Sequence, residues 1–301
     1  MTYLLNGSAP LTHLGIIRAE GADAAKFLHG QMTQDFALLG QDQARLAAFC
    51  NAKGRMQASF IGFKRSPTEI LLICHRDLLA ATLKRLSMFV MRAQAKLTDA
   101  TADFSLYGVV GGLTHPVQPA WTTTTADSTT TIALYPADGQ PRTMVIAPTG
   151  TPAPAGPVLS LDLWLWSEVR SGIATVSTPI FEALVPQMLN YESVGGVNFK
   201  KGCYPGQEIV ARSQFRGTLK RRAAIVHAAV AMASGQEVFH SADATQPCGV
   251  VVQAAATPDG GWDAIVSLQI AAMQDGALAL GAADGAALTL LPLPYELLAD
   301  I

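Results

Sequence analysis

The chain has 301 residues, half of them hydrophobic and 15% charged, and its formal net charge is -2. This composition excludes a globally disordered chain and gives no bulk attraction to nucleic acid or to an anionic membrane. No apolar run reaches the roughly 18 residues of a membrane span, and the first residues lack the pattern of a signal peptide. We therefore expect a cytoplasmic globular protein with reduced thiols and no membrane contact.

The first hundred residues show the periodicities of an α+β layer. A strand at 13–19 precedes a helix at 23–39, and a second helix is predicted at 75–89. Further strands are predicted at 45–50, 56–63, 69–74 and 91–97. A hairpin turn at 51–55 joins the first two of these strands, so we expect an antiparallel sheet covered by helices.

The middle of the chain alternates between turn-rich and helical segments. Residues 121–131 are rich in threonine around an Asp-Ser turn and predict an edge hairpin. The segment 148–157 holds four prolines in ten residues, which predicts an extended connector. A helix is predicted at 161–170, and residues 173–217 are predicted to be a loop.

Beyond residue 220 the pattern changes to short apolar runs separated by turn signals, which predicts a small β-barrel. The runs lie at 223–230, 236–240, 249–256, 264–268 and 286–291. The expected fold class is therefore α+β, with one domain at 1–220 and a C-terminal barrel domain at 221–301.

One segment, 198–208, reads NFKKGCYPGQE and surrounds its cysteine with glycine and proline. Such residues favour a tight loop that presents Cys203 to solvent, although a buried structural cysteine is the alternative. Lys200 and Lys201 would stabilise a thiolate there, whereas Glu208 would oppose it. The other cysteines lie in apolar runs and are predicted to be core residues. They are Cys50, Cys74 and Cys248.

Residues 200–222 form a basic run with seven cations and one acid. The run is either a solvated face or a surface that binds an anion such as a polyglutamyl tail, a phosphate backbone or a carboxylate. The candidates for anion or partner binding are Arg212, Arg216, Arg221 and Arg222.

Several motifs resemble those of the YgfZ family. Residues 201–208, KGCYPGQE, are similar to the family signature K-G-C-Y-x-G-Q-E, and residues 27–35, FLHGQMTQD, are similar to its F-L-x-G-Q-x-T-x-D segment. The K-G-R turn at 53–55 and the R-x-G-I step at 170–173 agree as well. The motif positions besides the cysteine are Lys201, Gly202, Tyr204, Gly206, Gln207 and Glu208.

The resemblance implies a fold like that of the glycine-cleavage T-protein, with tetrahydrofolate or a derivative bound in a central opening and no stably bound metal. It also implies a role in the assembly or repair of iron–sulfur enzymes, including those that thiomethylate tRNA, with Cys203 as the residue tied to that role. The implied partners are folate and iron–sulfur or cluster-assembly proteins, with transient tRNA contact left open. We expect the sulfur to face the folate cavity, whose lining is assigned to Arg170, Asn190, Phe199 and Lys200.

One difference from the T-protein sequence pattern bears on the choice between the alternative functions. T-proteins carry an acidic pair after an Asn-x-x-Gly turn, and the matching positions here are Ala58 and Ser59. Neither side chain can hold or accept a proton as a carboxylate does. A folate-dependent aminomethyl or one-carbon transferase is therefore the second hypothesis for the function. A tRNA-binding module that uses residues 200–222 is the third.

Overall fold

The computed structural model describes residues 3–111, 118–215, 219–274 and 277–298. In chain order the strands are β1 (Gly7–Pro10), β2 (Leu14–Glu20), β3 (Ala44–Cys50), β4 (Met56–Ser66), β5 (Glu69–His75), β6 (Lys96–Asp99), β7 (Phe104–Val110), β8 (Thr123–Ala126), β9 (Thr129–Ala137), β10 (Gln140–Pro148), β11 (Arg221–Ala228), β12 (Glu237–His240), β13 (Gly249–Ala256), β14 (Trp262–Gln269), β15 (Leu278–Leu280) and β16 (Ala286–Leu291). The α-helices are α1 (Ala24–His29), α2 (Arg76–Ser87), α3 (Leu161–Arg170) and α4 (Gln207–Phe215).

The first sheet has the strand order β3-β4-β5-β2-β6, and every neighbouring pair is antiparallel. Its strands are rich in apolar residues on both faces, as expected for a sheet that is covered on each side. Helices α1 and α2 cover one face with a core that includes Phe27, Leu28, Leu79 and Leu86. The other face contributes to a second core that it shares with the second sheet and with α3.

The second sheet has the order β1-β7-β10-β9-β8 and packs on α3. The approach of this helix depends on one glycine, because a Cβ on Gly108 of β7 would lie 2.3 Å from Cε3 of Trp164. The helix begins at a Ser160 cap, whose Oγ accepts the N–H of Leu163 at 3.3 Å. This packing places one face of α3 between the two sheets, where the candidate site lies.

Strands β11 to β16 close into a barrel in the order β11-β14-β13-β12-β15-β16, with β16 returning to β11. The barrel holds its own apolar core and contacts α3 through β13 and β14. Across that contact, Trp166 Nε1 donates to Asp263 Oδ2 at 2.8 Å. An α+β fold with a C-terminal barrel is thus confirmed. Within the described residues, no helix is long and apolar enough to cross a membrane.

Most of the predicted elements are present with small shifts in their ends. The Thr-rich segment forms the hairpin of β8 and β9, with β8 at the sheet edge and both turn residues, Asp127 and Ser128, at positive φ. The predicted helix at 161–170 is α3, and the proline-rich connector lies between β10 and α3. Four strands, β1, β7, β10 and β15, were not predicted.

Three predictions were wrong in detail. The helix predicted at 23–39 ends at His29, because Thr33 leaves the helix to pair with β3: its N–H donates to Ala48 O, and its Oγ1 accepts the N–H of Ala48. The strand predicted at 91–97 begins only at Lys96, after a series of turns. The predicted loop at 173–217 contains α4, which starts directly after Gly206 at φ +80°.

Candidate functional site

A cavity lies between the two sheets and α3, with about 540 Å³ of empty space including its open mouth. Most of its wall is apolar, and it has a few polar groups. The lining residues are Leu14, Leu46, Ser59, Phe60, Ile61, Ile73, Cys74, Trp121, Leu134, Tyr135, Arg142, Met144, Glu168, Ser171, Ile173, Ala174 and Thr175.

The buried carboxylate of Glu168 is the acidic group of this cavity. Its Oε1 accepts from Trp164 Nε1 at 2.8 Å and faces His13 Nε2 at 3.4 Å, while Oε2 accepts from Gln253 Nε2 at 2.9 Å. Burial would raise the pKa of Glu168, but His13, Arg142 and Trp164 together hold it below its usual value. Glu168 is therefore ionised at neutral pH.

Arg142 provides the matching cation. Its Nε donates to Ser167 Oγ at 3.0 Å, and its guanidinium lies 4.4 Å from the ring centre of Trp164. Complete burial lowers the pKa of Arg142 to about 10, against the opposing charge of Glu168. The guanidinium stays charged at neutral pH, so the cavity holds one buried charge of each sign.

Aromatic rings form the side of the cavity opposite the first sheet. Trp121 and Tyr135 lie 5.8 Å apart between ring centres, and Tyr295 stands edge-on to Tyr135 at 5.9 Å. Trp121 Nε1 donates to the carbonyl of Val194 at 3.2 Å, which fixes the indole. Trp121 and Tyr135 line the cavity, so this side is aromatic and mostly apolar.

The two positions where T-proteins carry acids have different surroundings. Ser59 lines the cavity, and its Oγ accepts the N–H of Val176 at 2.9 Å. Ala58 is buried in the core beneath α1 and α2 and does not reach the cavity. Neither position can supply a carboxylate to a ligand in this cavity.

The cysteine loop, defined as residues 198–206, presents Cys203 to solvent, whereas Cys50, Cys74 and Cys248 are buried. The predicted core role of those three cysteines is confirmed, and burial raises the pKa of Cys50 and Cys74 to about 12. Within the described residues, no group of three or more His, Cys, Asp and Glu side chains is arranged to hold a metal ion.

Glycine at 206 allows the loop to pack closely on the turn between β3 and β4. A Cβ on Gly206 would lie 2.4 Å from Asn51 O and 2.6 Å from Gly54 Cα, and its φ of +80° also favours glycine. The K-G-R turn and the cysteine motif, which are about 150 residues apart in sequence, therefore form one surface.

Lys201 anchors the cysteine loop to the end of α1. Its side chain is buried, and Nζ donates to the carbonyls of His29 at 2.5 Å and Met32 at 2.9 Å. The ammonium also lies 4.6 Å from the ring centre of buried Tyr204. Burial lowers the pKa of Lys201 to about 8, although the charges of Asp35 and Cys203 act to raise it.

His29 and Asp35 lie beside the same loop. His29 Nδ1 and Asp35 Oδ1 are 3.0 Å apart, and Nε2 of the ring lies 3.4 Å from the position that a Cβ on Gly202 would occupy. The N–H of Leu38 and the His29 ring hold the pKa of Asp35 below its usual value despite burial. Asp35 is therefore a carboxylate at neutral pH.

The remaining motif residues connect the loop to α4. Gly202 is exposed, and Gln207 is the first residue of α4. Glu208 is exposed and forms an ion pair at 2.5 Å with Arg212, one turn later on the surface of α4. Such an exposed pair contributes little to stability.

The structure places the four residues assigned to the folate lining outside the cavity. Arg170 binds both oxygens of Asp138, and the amide of buried Asn190 bonds both the N–H and the carbonyl of Ala223. Phe199 packs against Phe215, and Lys200 is exposed. We also expected Cys203 to face the cavity, but no residue of the cysteine loop lines it.

The basic run does not form one continuous surface. Arg222 is buried and pairs with Glu192 at 2.6 Å, so its assignment to anion binding is wrong. Arg221 Nη1 donates to Cys248 O at 3.2 Å, and Arg212 is exposed beside Glu208. Arg216 lies outside the described residues. Of the run, Lys200, Arg212 and Lys220 are exposed.

Sequence reasoning missed the residues that give the cavity and the loop their polar character. They are His13, His29, Asp35, Trp121, Tyr135, Arg142 and Glu168. A charged residue in an apolar helix was the available signal for Glu168, which is flanked by Trp164, Trp166 and Val169. The others are brought together only by the tertiary fold.

No family model matches the chain. The tRNA-modifying protein YgfZ of Cronobacter sakazakii is 30% identical over 214 residues, which cover 67% of this chain and 65% of that protein. The protein of the same name from Edwardsiella ictaluri is 28% identical over 300 residues, which cover 93% of this chain and 89% of that protein.

Among solved structures, the glycine cleavage system aminomethyltransferase T from Bartonella henselae matches with a TM-score of 0.71 at 15% identity, covering 97% of this chain and 87% of that chain. This match shows a shared fold. The relatives at 28% to 30% identity and the K-G-C-Y-x-G-Q-E signature point to the same group of proteins. The chain is similar to the YgfZ proteins over most of its length and has the fold of the glycine-cleavage T-protein.

Proposed function

We propose that this protein binds a reduced folate in the cavity and supports iron–sulfur enzymes, including those that thiomethylate tRNA, through the exposed thiol of Cys203. The observation that carries the folate part is a mostly apolar cavity lined by two aromatic rings and by one ionised carboxylate. The observation that carries the thiol part is that Cys203 alone among the four cysteines reaches solvent.

The acceptor capacity of Glu168 supports a pterin ligand. A carboxylate offers about four acceptor positions. Trp164, His13 and Gln253 use three of them, two on Oε1 and one on Oε2. The remaining capacity on Oε2 fits one N–H of an aminopyrimidine edge, and a charge-assisted bond of this kind is stronger than a neutral one.

The aromatic wall supports the same ligand. Trp121 and Tyr135 line the cavity together with the apolar side chains of Leu134, Met144 and Ile173. A site with mostly apolar walls and few convergent polar groups is typical for a flat heterocycle. The glutamate end of a folate would extend toward the open mouth of the cavity.

A single thiol limits what Cys203 does for a cluster. Iron–sulfur clusters normally need four protein ligands, and Cys203 is the one solvent-exposed cysteine of this chain. Cys203 would therefore act transiently, as one ligand or as an exchange thiol during contact with a client enzyme. Direct tRNA binding by the basic run is less well supported, because Lys201 and Arg222 of that run are buried.

Calorimetric titration with tetrahydrofolate tests the folate part. We expect saturable binding by the wild type and about tenfold weaker binding by Trp121→Leu, because stacking on one aromatic ring is worth about 1 to 3 kcal/mol. Trp262→Leu is the matched control, since Trp262 is also partly buried but lies in the barrel. Absence of binding at millimolar ligand would refute folate binding.

A further inference from the structure

Three segments of the chain meet at the cysteine loop, which carries the exposed thiol, and they contribute four groups that titrate. The end of α1 provides His29, the segment after it provides Asp35, and the cysteine loop provides Lys201 and Cys203. His29 occupies the unspecified position of the family's F-L-x-G-Q segment, so the family signature assigns it no role.

The tautomer of His29 follows from its hydrogen bond. Asp35 is ionised and accepts from Nδ1 at 3.0 Å, so the neutral ring carries its proton on Nδ1. Nε2 is then an acceptor, and it points to the backbone of Gly202, the residue before Cys203, at 3.4 Å from a Cβ placed there. A base whose far nitrogen is held by a carboxylate is the arrangement that activates a neighbouring nucleophile.

The loop is held at this distance by Lys201. Its two hydrogen bonds to the carbonyls of His29 and Met32 tie the residue before Gly202 to the helix that carries the imidazole. The electrostatic effect of both Asp35 and Cys203 on the Lys201 ammonium is consistent with all three groups lying close together. Cys203 itself is exposed, so its thiol can change rotamer.

We propose that His29 is the proton acceptor for Cys203 and that Asp35 is the residue that positions His29. The S–H bond of Cys203 breaks and an N–H bond forms at Nε2, directly or through one water, which leaves a thiolate beside an imidazolium. The negative charge of Asp35 stabilises the imidazolium, and the positive charge of Lys201 stabilises the thiolate. The proposal rests on the working thiol of the proposed function and is independent of folate.

The charges around the ring decide how the pair responds to pH. Beside His29 lie Asp35 from the following segment, Lys201 from the cysteine loop and, on its own helix, exposed Lys26. Glu208 of α4 is paired with Arg212 on the helix surface. Loss of the imidazole is therefore expected to slow the reaction of the thiol most at acidic pH, where an unassisted thiol stays protonated.

The rate of alkylation of Cys203 by iodoacetamide between pH 5.5 and 9.5 tests the proposal, with Cys203→Ser as the blank. At pH 6.5 we expect His29→Gln to react about tenfold more slowly than wild type, and the two rates to converge above pH 9, where any thiol ionises. Asp35→Asn should show a smaller shift in the same direction. His75→Gln is the matched control, because His75 pairs with Asp77 at 2.6 Å away from the cysteine loop and should react as wild type does.

The outcomes separate the two proposals. Equal pH profiles for wild type and His29→Gln, or a wild-type profile with the single inflection of an ordinary thiol near pH 8.5, would overturn the role of His29. The wild-type profile decides this even if the variant fails to fold. Either result leaves the proposed function intact, because its thiol part fails only if Cys203 proves dispensable for iron–sulfur enzymes.

Discussion

The cavity and the cysteine loop arrange their chemical groups in opposite ways. In the cavity, Glu168 and Arg142 are buried, and each has partners fixed by α3 and its neighbours. In the loop, the sulfur of Cys203 is exposed, and the buried group is Lys201, which serves as an anchor. This difference is the one that the proposed function requires, with a preformed cavity for the ligand and a separate accessible thiol for a client enzyme.

The largest expected effect is at the base of the cavity. Glu168→Gln should lower the free energy of unfolding by about 3 to 5 kcal/mol, because Arg142 would remain buried without an opposing charge. The new amide would also direct N–H groups toward donors such as Trp164 and Gln253. Urea denaturation measures the change.

The control for this variant is Asp162→Asn on the exposed face of the same helix. It should change the free energy of unfolding by less than about 1 kcal/mol, since only an interaction with the helix N-terminus is lost. A loss below about 1 kcal/mol for Glu168→Gln would show that the cavity charges are not as interdependent as their burial indicates.

The anchor of the cysteine loop should give an intermediate effect. Lys201→Met removes two charge-assisted hydrogen bonds and should lower the free energy of unfolding by about 1 to 3 kcal/mol. The loop should then become more sensitive to proteolysis. Lys200→Met, one residue away on an exposed side chain, should have no measurable effect on either property. Equal stability and equal sensitivity to proteolysis of the two variants would contradict the anchoring role of Lys201.

The smallest expected effect concerns Asp35 and depends on pH. A carboxylate whose pKa is lowered on folding stabilises the protein above its unfolded value of about 3.9, and that stabilisation is lost as pH falls through the folded value. The pKa of Asp35 is lowered, so wild type should be more stable than Asp35→Asn at pH 7, and the difference should shrink progressively as pH falls below about 4. Urea midpoints from pH 7 to pH 2 measure the difference, and a difference that does not shrink as pH falls below about 4 would contradict the assignment.

Local sequence patterns were sufficient for much of the fold. Apolar periodicity located α3 and five of the six barrel strands, and the Asp-Ser turn located the hairpin of β8 and β9. The error at α1 has a long-range cause. Thr33 bonds to Ala48 and to Gly196, and neither partner is near it in sequence. A helical sequence pattern alone does not reveal that these long-range hydrogen bonds compete with the helix.

The site was less predictable than the fold for a related reason. Glycine and proline around Cys203 report a local backbone requirement, and the exposure of the sulfur followed from them. The cavity is assembled from both sheets and α3, so no single segment reveals its lining. Charge counting also misled at Arg222, because its buried partner Glu192 lies 30 residues away in sequence.

Support of tRNA thiomethylation by Cys203→Ser tests the central claim most directly. Thiomethylated tRNA would be measured in cells that lack the natural gene and carry wild type, Cys203→Ser or Cys248→Ala, the last being a change at a buried cysteine. We expect Cys203→Ser to fall to the level of cells without the protein while its free energy of unfolding stays within about 0.5 kcal/mol of wild type, because an exposed side chain contributes little packing. Cys248→Ala should retain function. Full support by Cys203→Ser would contradict the account.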